Sequence, residues 1–228
     1  MNLRELSILQ EIYRWKVVDM ESLHHFLEFP GKEKKLWQIL YRLEKRSYLK
    51  TTPTFWNNRK VYYLDSLGLE ILGMKNVNYH INLETITHDA LVPMAVKSLL
   101  KLNSLNSYKT EYELVGDISI VPDAVLYGEK KGSTYSVALE IELTQKSKSR
   151  FSEKLNGYIR AKAFHYVLYL FPSHKMRRNW EIYCKEQIAN EYIKNVMWFS
   201  FEGVDRMNFA DSFGSFQGKE VILKEIFS

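Results

Sequence analysis

Apolar residues in the first 72 positions recur first at helical and then at strand spacing. Residues 3–15 place apolar side chains on one helix face, and Asp19 is a candidate N-cap for a second helix. A third helix turns four apolar side chains inward: Leu36, Ile39, Leu40 and Leu43. Two short strands, the second at 60–64, and a short helix at 67–72 complete this part. The pattern therefore predicts three helices, a hairpin and a terminal helix.

The rest of the chain is predicted to form a mixed domain of helices and strands. Periodicity indicates a helix, three strands, a second helix and a very apolar fourth strand, in that order. Their predicted bounds are 84–102, 108–115, 118–127, 133–144, 149–163 and 166–171. A further helix over 179–193 would bury Cys184. We therefore expect an α+β or α/β fold in which a mixed sheet is flanked by helices.

Composition bounds the class of protein. The chain has 228 residues, of which 46% are hydrophobic and 26% charged, as in ordinary soluble proteins, with room for two small domains. The sequence contains no apolar run of membrane-span length, no signal-like N-terminal segment and no glycine-rich phosphate loop. A single cysteine, Cys184, excludes an internal disulfide and a multi-cysteine zinc site. We therefore expect a cytoplasmic protein without a membrane partner, and not a nucleotide-driven motor.

The first domain resembles a winged helix-turn-helix. The resemblance rests on the three helices, the hairpin and the closing segment Tyr-Tyr-Leu-Asp-Ser-Leu-Gly-Leu-Glu-Ile-Leu at 62–72. Residues 32–60 contain nine Lys or Arg against two acids, so positive charge is concentrated where a winged helix meets DNA. The resemblance implies double-stranded DNA as the partner. The alternatives are a solvated basic face without a partner, and a protein partner.

The candidate DNA contacts lie on the third helix and the hairpin. Gln38 and Arg42 lie away from the apolar face of the helix and are suited to base edges. Arg59 and Lys60 would contact phosphate from the hairpin. The full predicted set is Lys34, Lys35, Gln38, Arg42, Arg46, Arg59 and Lys60.

Three carboxylates are predicted to converge in the second domain. Asp123 lies on one predicted strand, and Glu140 and Glu142 share a face of the next, because side chains alternate with period two. Like charges this close are tolerated when a cation or a bound proton offsets them. Carboxylate oxygens suit Mg²⁺ or Mn²⁺, the metals of phosphodiester chemistry. The alternative is an ordinary solvent-facing row on an amphipathic sheet.

The same domain resembles the core of the PD-(D/E)XK nucleases. Pro122-Asp123 matches the PD of the motif and Glu140 matches its second acid, within the order helix, three strands, helix, strand. Lys154 and Tyr158, one helical turn apart, resemble the Gln-x-x-x-Tyr element of the RecB-like branch. The resemblance implies that Asp123 and Glu140 hold the metal. It also implies that Lys154 faces the scissile phosphate and that Tyr158 supports the site.

One position departs from that family's pattern. Glu142 stands where the motif usually has lysine, so it would complete or tune the metal site without donating positive charge. Lys146 and Lys154 are the candidates to supply that charge from elsewhere. The expected function is therefore a metal-dependent DNA endonuclease. The alternative is a catalytically inactive nuclease fold that serves as a dimerisation or DNA-clamping platform of a regulator.

Together the two domains resemble the replication-relaxation family of bacterial plasmids and integrative elements. The resemblance divides the chain into a winged helix over 1–75 and a nuclease-like domain over 82–228, with a junction near 74–83. It implies a DNA-binding protein that acts in the replication, transfer or control of a mobile genetic element, and it leaves room for a homodimer. An adaptor that binds only proteins is a third class.

Overall fold

The computed structural model consists of two compact units, Met1–Lys97 and Ser98–Ser228. We describe each unit by itself. The structure describes residues 1–54, 58–74, 79–116, 120–144, 147–188, 191–204 and 208–228.

Unit 1 contains helices followed by a hairpin, as predicted. Its elements are α1 (Leu3–Trp15), β1 (Val18–Asp19), α2 (Met20–Phe26), α3 (Glu33–Lys45), β2 (Leu49–Pro53), β3 (Lys60–Leu64), α4 (Ser66–Ile71) and α5 (Ile86–Leu99), which continues past the unit boundary. The strands form an antiparallel sheet in the order β1-β3-β2. The predicted helix and strand positions in 1–72 are therefore confirmed to within a residue or two.

Local side-chain bonds explain where the first two helices begin. The Asn2 side chain accepts a hydrogen bond from the Glu5 amide at 2.9 Å, and the Glu5 carboxylate accepts one from the Asn2 amide at 3.1 Å. This capping box satisfies amides that have no partner inside α1. The predicted cap at Asp19 is confirmed, because its carboxylate accepts from the Ser22 amide at 2.9 Å.

The first half of α5 packs within unit 1. Ile86 and Ala90 form a small buried cluster with Val17 and Val61. Tyr79, which precedes the helix, accepts a hydrogen bond from the Leu64 amide at 3.1 Å and donates one to the Lys16 carbonyl at 2.7 Å. The sequence places this helix in the second domain, whereas the compact units divide at 97/98. The predicted junction lies partly outside the described residues, at 75–78, and stays a prediction.

Unit 2 is built on a mixed sheet. Its strands are β4 (Leu105–Thr110), β5 (Ala124–Lys130), β6 (Ser133–Ile141), β7 (Tyr166–Phe171), β8 (Val196–Ser200), β9 (Phe213–Phe216) and β10 (Lys219–Ile222). Its helices are α6 (Glu111–Leu114), α7 (Lys148–Ala161), α8 (His174–Gln187) and α9 (Leu223–Ile226), with short 3-10 turns at Glu191–Asn195 and Phe209–Asp211. Within the described ranges the sheet has seven strands, in the order β10-β9-β8-β7-β6-β5-β4.

The pairing within this sheet places β7 at its centre. β6, β7 and β8 are parallel neighbours, while the outer pairs are antiparallel. Parallel neighbours need crossover connections, which α7 and α8 provide. Strand β7 is buried between two neighbours, which explains its continuous apolar run. The expected mixed α+β architecture, a sheet flanked by helices, is confirmed.

Three predicted elements have different bounds in the structure. The strand predicted over 108–115 ends at Thr110, because the Glu113 carboxylate accepts from the Thr110 amide at 2.8 Å and starts α6. The strand predicted over 118–127 begins at Ala124, so Asp123 lies just before it. A proline such as Pro122 cannot donate to a ladder inside a sheet. The next strand ends at Ile141, yet the Glu142 amide still donates to the Leu170 carbonyl at 3.0 Å.

An aromatic core covers one face of the unit 2 sheet. The Phe151 ring from α7 stacks on Trp180 from α8 with centroids 4.1 Å apart, and Tyr169 stacks on Trp198 at 5.5 Å. Cys184 is buried in α8, as expected, although the helix spans 174–187 instead of 179–193. No helix among the described residues is both long and apolar enough to cross a membrane.

Candidate acidic site and candidate nucleic-acid interface

Glu140 is the centre of the acidic site in unit 2. It lies on β6, between β5 and β7, and its side chain is 0% exposed. Lys154 and Tyr158 lie one turn apart on α7, so both face the sheet at the same place. The Lys154 ammonium contacts one carboxylate oxygen of Glu140, and the Tyr158 hydroxyl donates to the other. Sequence reasoning named all three residues, and the structure brings them together.

Asp123 is tied to the same strand. Its amide donates to the Leu139 carbonyl at 3.1 Å, and its carboxylate accepts from the Ile141 amide at 2.7 Å. The residue is half-buried, just before β5 begins. Glu142, one residue beyond β6, is buried. The three predicted carboxylates thus belong to neighbouring strand ends, and two of them are largely removed from water.

Burial dominates the ionisation of Glu140. Loss of solvent and the nearby Asp123 charge raise the pKa of Glu140 to about 8, although Lys154 and Tyr158 act in the opposite direction. Burial by itself would lower the pKa of Lys154, but the charges of Glu140 and Asp123 raise it. Glu140 is therefore neutral at pH 7, and Lys154 carries its charge. The full ion pair forms only when Glu140 ionises at higher pH.

Tyr169 is a member of the site that sequence reasoning missed. It lies opposite Glu140 in the β6–β7 register and is fully buried. Its hydroxyl has no hydrogen-bond partner among the described residues. Burial, followed by the charges of Glu140 and Glu142, raises the pKa of Tyr169 well above its ordinary value. The available signal was a hydroxyl-bearing residue in the middle of an otherwise apolar strand.

In this arrangement the site does not fit a divalent metal. Within the described ranges, no three His, Cys, Asp or Glu side chains group as metal ligands. Both oxygens of Glu140 are already contacted, by Lys154 and by Tyr158. The predicted Lys146 lies outside the described residues. Lys154 occupies the cation position next to Glu140 that the sequence analysis gave to Mg²⁺ or Mn²⁺.

The predicted DNA contacts on α3 fall into an exposed group. Lys34, Lys35, Gln38 and Arg42 are all exposed, on the side of the helix away from its buried stripe. That stripe is the predicted one: Leu36, Ile39, Leu40 and Leu43. The face therefore has the charge and the exposure that phosphate contacts require.

The other three predicted contacts are paired with acids of unit 1. Arg59 lies 3.0 Å from the Asp19 carboxylate and 3.1 Å from Glu21, and Lys60 lies 2.9 Å from Glu44. The third, Arg46, lies 3.8 Å from a Glu5 oxygen. Arg59 compensates the buried Asp19 that caps α2, so its position has a structural explanation as well.

Two exposed aromatic residues on α3 were also missed. Trp37 is 48% exposed and Tyr41 is 47% exposed. Their spacing of four residues, outside the apolar stripe, places them on one helix face and was the available signal. The sequence analysis counted most aromatic residues as core.

Comparison with known proteins leaves the family open. No protein-family model matches the sequence, and no curated protein matches it. The chain has weak similarity to two solved structures. One is the restriction endonuclease FokI, with 11% identity, 82% of this chain and 41% of that chain covered, and a TM-score of 0.27. The other is FokI bound to DNA, with 12% identity, 74% and 37% covered, and a TM-score of 0.22.

The chain thus spans about two fifths of the length of these two structures. Similarity at this level does not establish a common fold or activity. Membership in the replication-relaxation family stays a prediction.

Proposed function

We propose that this chain is a DNA-binding protein whose unit 1 docks on duplex DNA as a winged helix. The observation that carries the proposal is the exposed row Lys34, Lys35, Gln38 and Arg42, opposite the buried stripe of α3. The antiparallel hairpin β2–β3 follows α3 directly, which is the order of a recognition helix and its wing. Basic side chains bind phosphate, and Gln38 and Arg42 suit base edges.

Unit 2 is proposed to be a nuclease-like domain of the PD-(D/E)XK type. The order α5, β4, β5, β6, α7, β7 supports this assignment, apart from the inserted turn α6. So does the contact of Lys154 and Tyr158 with Glu140, next to Asp123. Lys154 brings a positive charge to a site in which Glu142 replaces the usual lysine.

Two versions of unit 2 follow from the same contacts. The closed state of Glu140, neutral and contacted on both oxygens, favours an inactive platform that binds or clamps DNA in a regulator. The position of Lys154 favours an endonuclease that opens this contact to admit a metal. The resemblance noted above supports a role in the replication, transfer or control of a mobile element. A homodimer is part of the platform version.

The DNA-binding proposal is tested with the triple variant K34A/K35A/R42A. Fluorescence anisotropy on a labelled duplex should show weaker binding, and the slope of log K against log salt should shrink by roughly 3, near one per lost phosphate contact. The matched control K101A/K175A/R178A removes the same charge from exposed positions of unit 2. Equal binding by the α3 variant and the wild type would refute the proposed interface.

Metal binding and plasmid cleavage separate the two versions of unit 2. In the endonuclease version, Mn²⁺ raises the melting temperature, because a ligand specific to the folded state stabilises it. Supercoiled plasmid is then nicked by the wild type but not by D123A or E140A. Metal binding without cleavage of single- or double-stranded substrates supports the platform. Without metal binding, the endonuclease version is wrong.

A further inference from the structure

Trp37 and Tyr41 form an aromatic stack on the outer surface of α3. Their ring centroids are 5.6 Å apart and the planes differ by 19°. Each side chain is about half exposed, although both are large and apolar. The buried stripe of the helix is elsewhere, so this stack is not part of the core that holds α3 in place. An exposed pair of large rings on an otherwise polar face is typical of a binding surface.

The stack forms one wall of a groove that carries positive charge. The groove has a volume of about 460 Å³ and is lined by Trp37, Tyr41, Glu44, Lys45, Lys60 and Tyr62. The Lys45 ammonium lies 5.6 Å from the centre of the Tyr41 ring, and the Lys60 ammonium lies 5.6 Å from that of Tyr62. The acid of the groove, Glu44, is engaged by Lys60 at 2.9 Å and by Thr51 at 2.7 Å. Two ammonium groups thus flank the aromatic rings against one carboxylate.

Planar rings beside ammonium groups match the chemistry of a nucleotide. A base stacks on an aromatic side chain through its flat face, and the phosphate next to it is attracted by lysine. In a duplex the base faces are covered by neighbouring base pairs, so only an unpaired or extruded base can present its face to Trp37 or Tyr41. A second copy of this chain would bring the same two lysines towards the groove, which the charge disfavours.

We propose that the groove of Trp37, Tyr41, Lys45 and Lys60 binds an unpaired nucleobase, so that unit 1 prefers DNA with a single-stranded segment next to a duplex. This inference rests on the proposed function, because it specifies which DNA the interface on α3 selects. Lys34, Lys35 and Arg42 contact the duplex, and the aromatic stack contacts the unpaired base beside it.

The proposal is tested with the full chain and the variant W37A/Y41A. Binding is measured by anisotropy on a blunt duplex and on the same duplex with a thymidine overhang. The variant should lose about tenfold or more in affinity for the overhang substrate, since one stacked base contributes on that order. Its affinity for the blunt duplex should change by less than about threefold, and the salt slope should stay the same because no charge is removed.

Two control variants make the result specific to the rings. W37F/Y41F keeps two aromatic faces and should retain most of the overhang preference. Y112A removes an exposed tyrosine from unit 2 and should bind both substrates as the wild type does. A direct signature is quenching of tryptophan emission by the overhang DNA, which should be smaller in W37F because a stacked base quenches the indole it covers.

The possible outcomes separate this inference from the proposed function. Equal losses on both substrates, or no loss on either, overturn the unpaired-base proposal. A change in oligomeric state with unchanged DNA binding also overturns it and identifies a second copy as the occupant. In each case, weaker duplex binding by K34A/K35A/R42A still supports DNA binding through α3. If the wild type binds no DNA at all, the proposed function itself is wrong.

Discussion

The acidic site of unit 2 and the basic face of unit 1 place their charges in opposite environments. Glu140 is fully buried, and its two oxygens are contacted by Lys154 and Tyr158. On α3 the side chains of Lys34 and Arg42 extend into solvent. A charge removed from water must be compensated within the fold, whereas an exposed charge affects stability little. The first region should therefore respond to mutation through stability and pH, and the second through DNA affinity.

The largest expected effect is that of Lys154→Met, measured by urea unfolding at pH 9. Glu140 is ionised at that pH, so losing its ammonium partner should lower the free energy of unfolding by about 3 kcal/mol. At pH 6 the loss should be much smaller, because the neutral carboxyl needs no cation. E140Q/K154M should recover most of the loss. An equal cost at both pH values would contradict the ionisation that we derive for Glu140.

The second effect is the pH dependence of stability. In the folded protein the pKa of Glu140 is about 8, above the ordinary value of 4.5, so folding favours the protonated form. Its stabilisation is complete below about pH 4.5 and is lost as the pH rises through 8. Between pH 5 and 8 the free energy of unfolding should fall by on the order of 1 kcal/mol per pH unit. Glu140→Gln should flatten this slope relative to the wild type, and parallel curves would refute the assignment.

The third effect compares two hydroxyls beside the same carboxylate. Tyr158→Phe removes a donor to Glu140 and should lower the free energy of unfolding by about 1–2 kcal/mol. Tyr169→Phe removes a buried hydroxyl that has no hydrogen-bond partner among the described residues, and should raise it by about 1 kcal/mol. Both variants lose one oxygen, so each serves as the control for the other. A destabilised Tyr169→Phe would mean that its hydroxyl has a partner, such as a bound water.

The smallest effect on stability is expected in unit 1. K34A/K35A/R42A should change the free energy of unfolding by less than about 0.5 kcal/mol, because these side chains are exposed. The melting temperature, measured by circular dichroism, should match that of K101A/K175A/R178A. A large loss of stability in the α3 variant would mean that the basic face has a structural role, and would remove the contrast between the two regions.

Much of the fold could be predicted because its elements are locally specified. The strand at 166–171 and the cap at Asp19 follow from apolar runs and capping chemistry. The turn α6 was missed although Thr110 and Glu113 have the spacing of a capping box. Strands β9 and β10 were also missed, because their short, partly exposed segments are defined by pairing with each other and with β8, not by a local pattern.

The candidate site was predictable only in part, for a similar reason. Lys154 and Tyr158 could be assigned from their spacing of four residues on one helix, which is local information. The position of Tyr169 opposite Glu140 depends on the register between β6 and β7, and these strands are joined by a whole helix. The exposure of Trp37 was not predicted, because its residue type favours burial in general.

The small cluster that joins α5 to unit 1 has a consequence for how this half of the chain can be transferred between proteins. A gene segment that ended at residue 75 would leave Val17 and Val61 without Ile86 and Ala90. It would also lack Tyr79, whose hydroxyl bridges two backbone groups of the unit. Recombination or protein fusion that moves the first unit intact must therefore include the codons through at least Ala90.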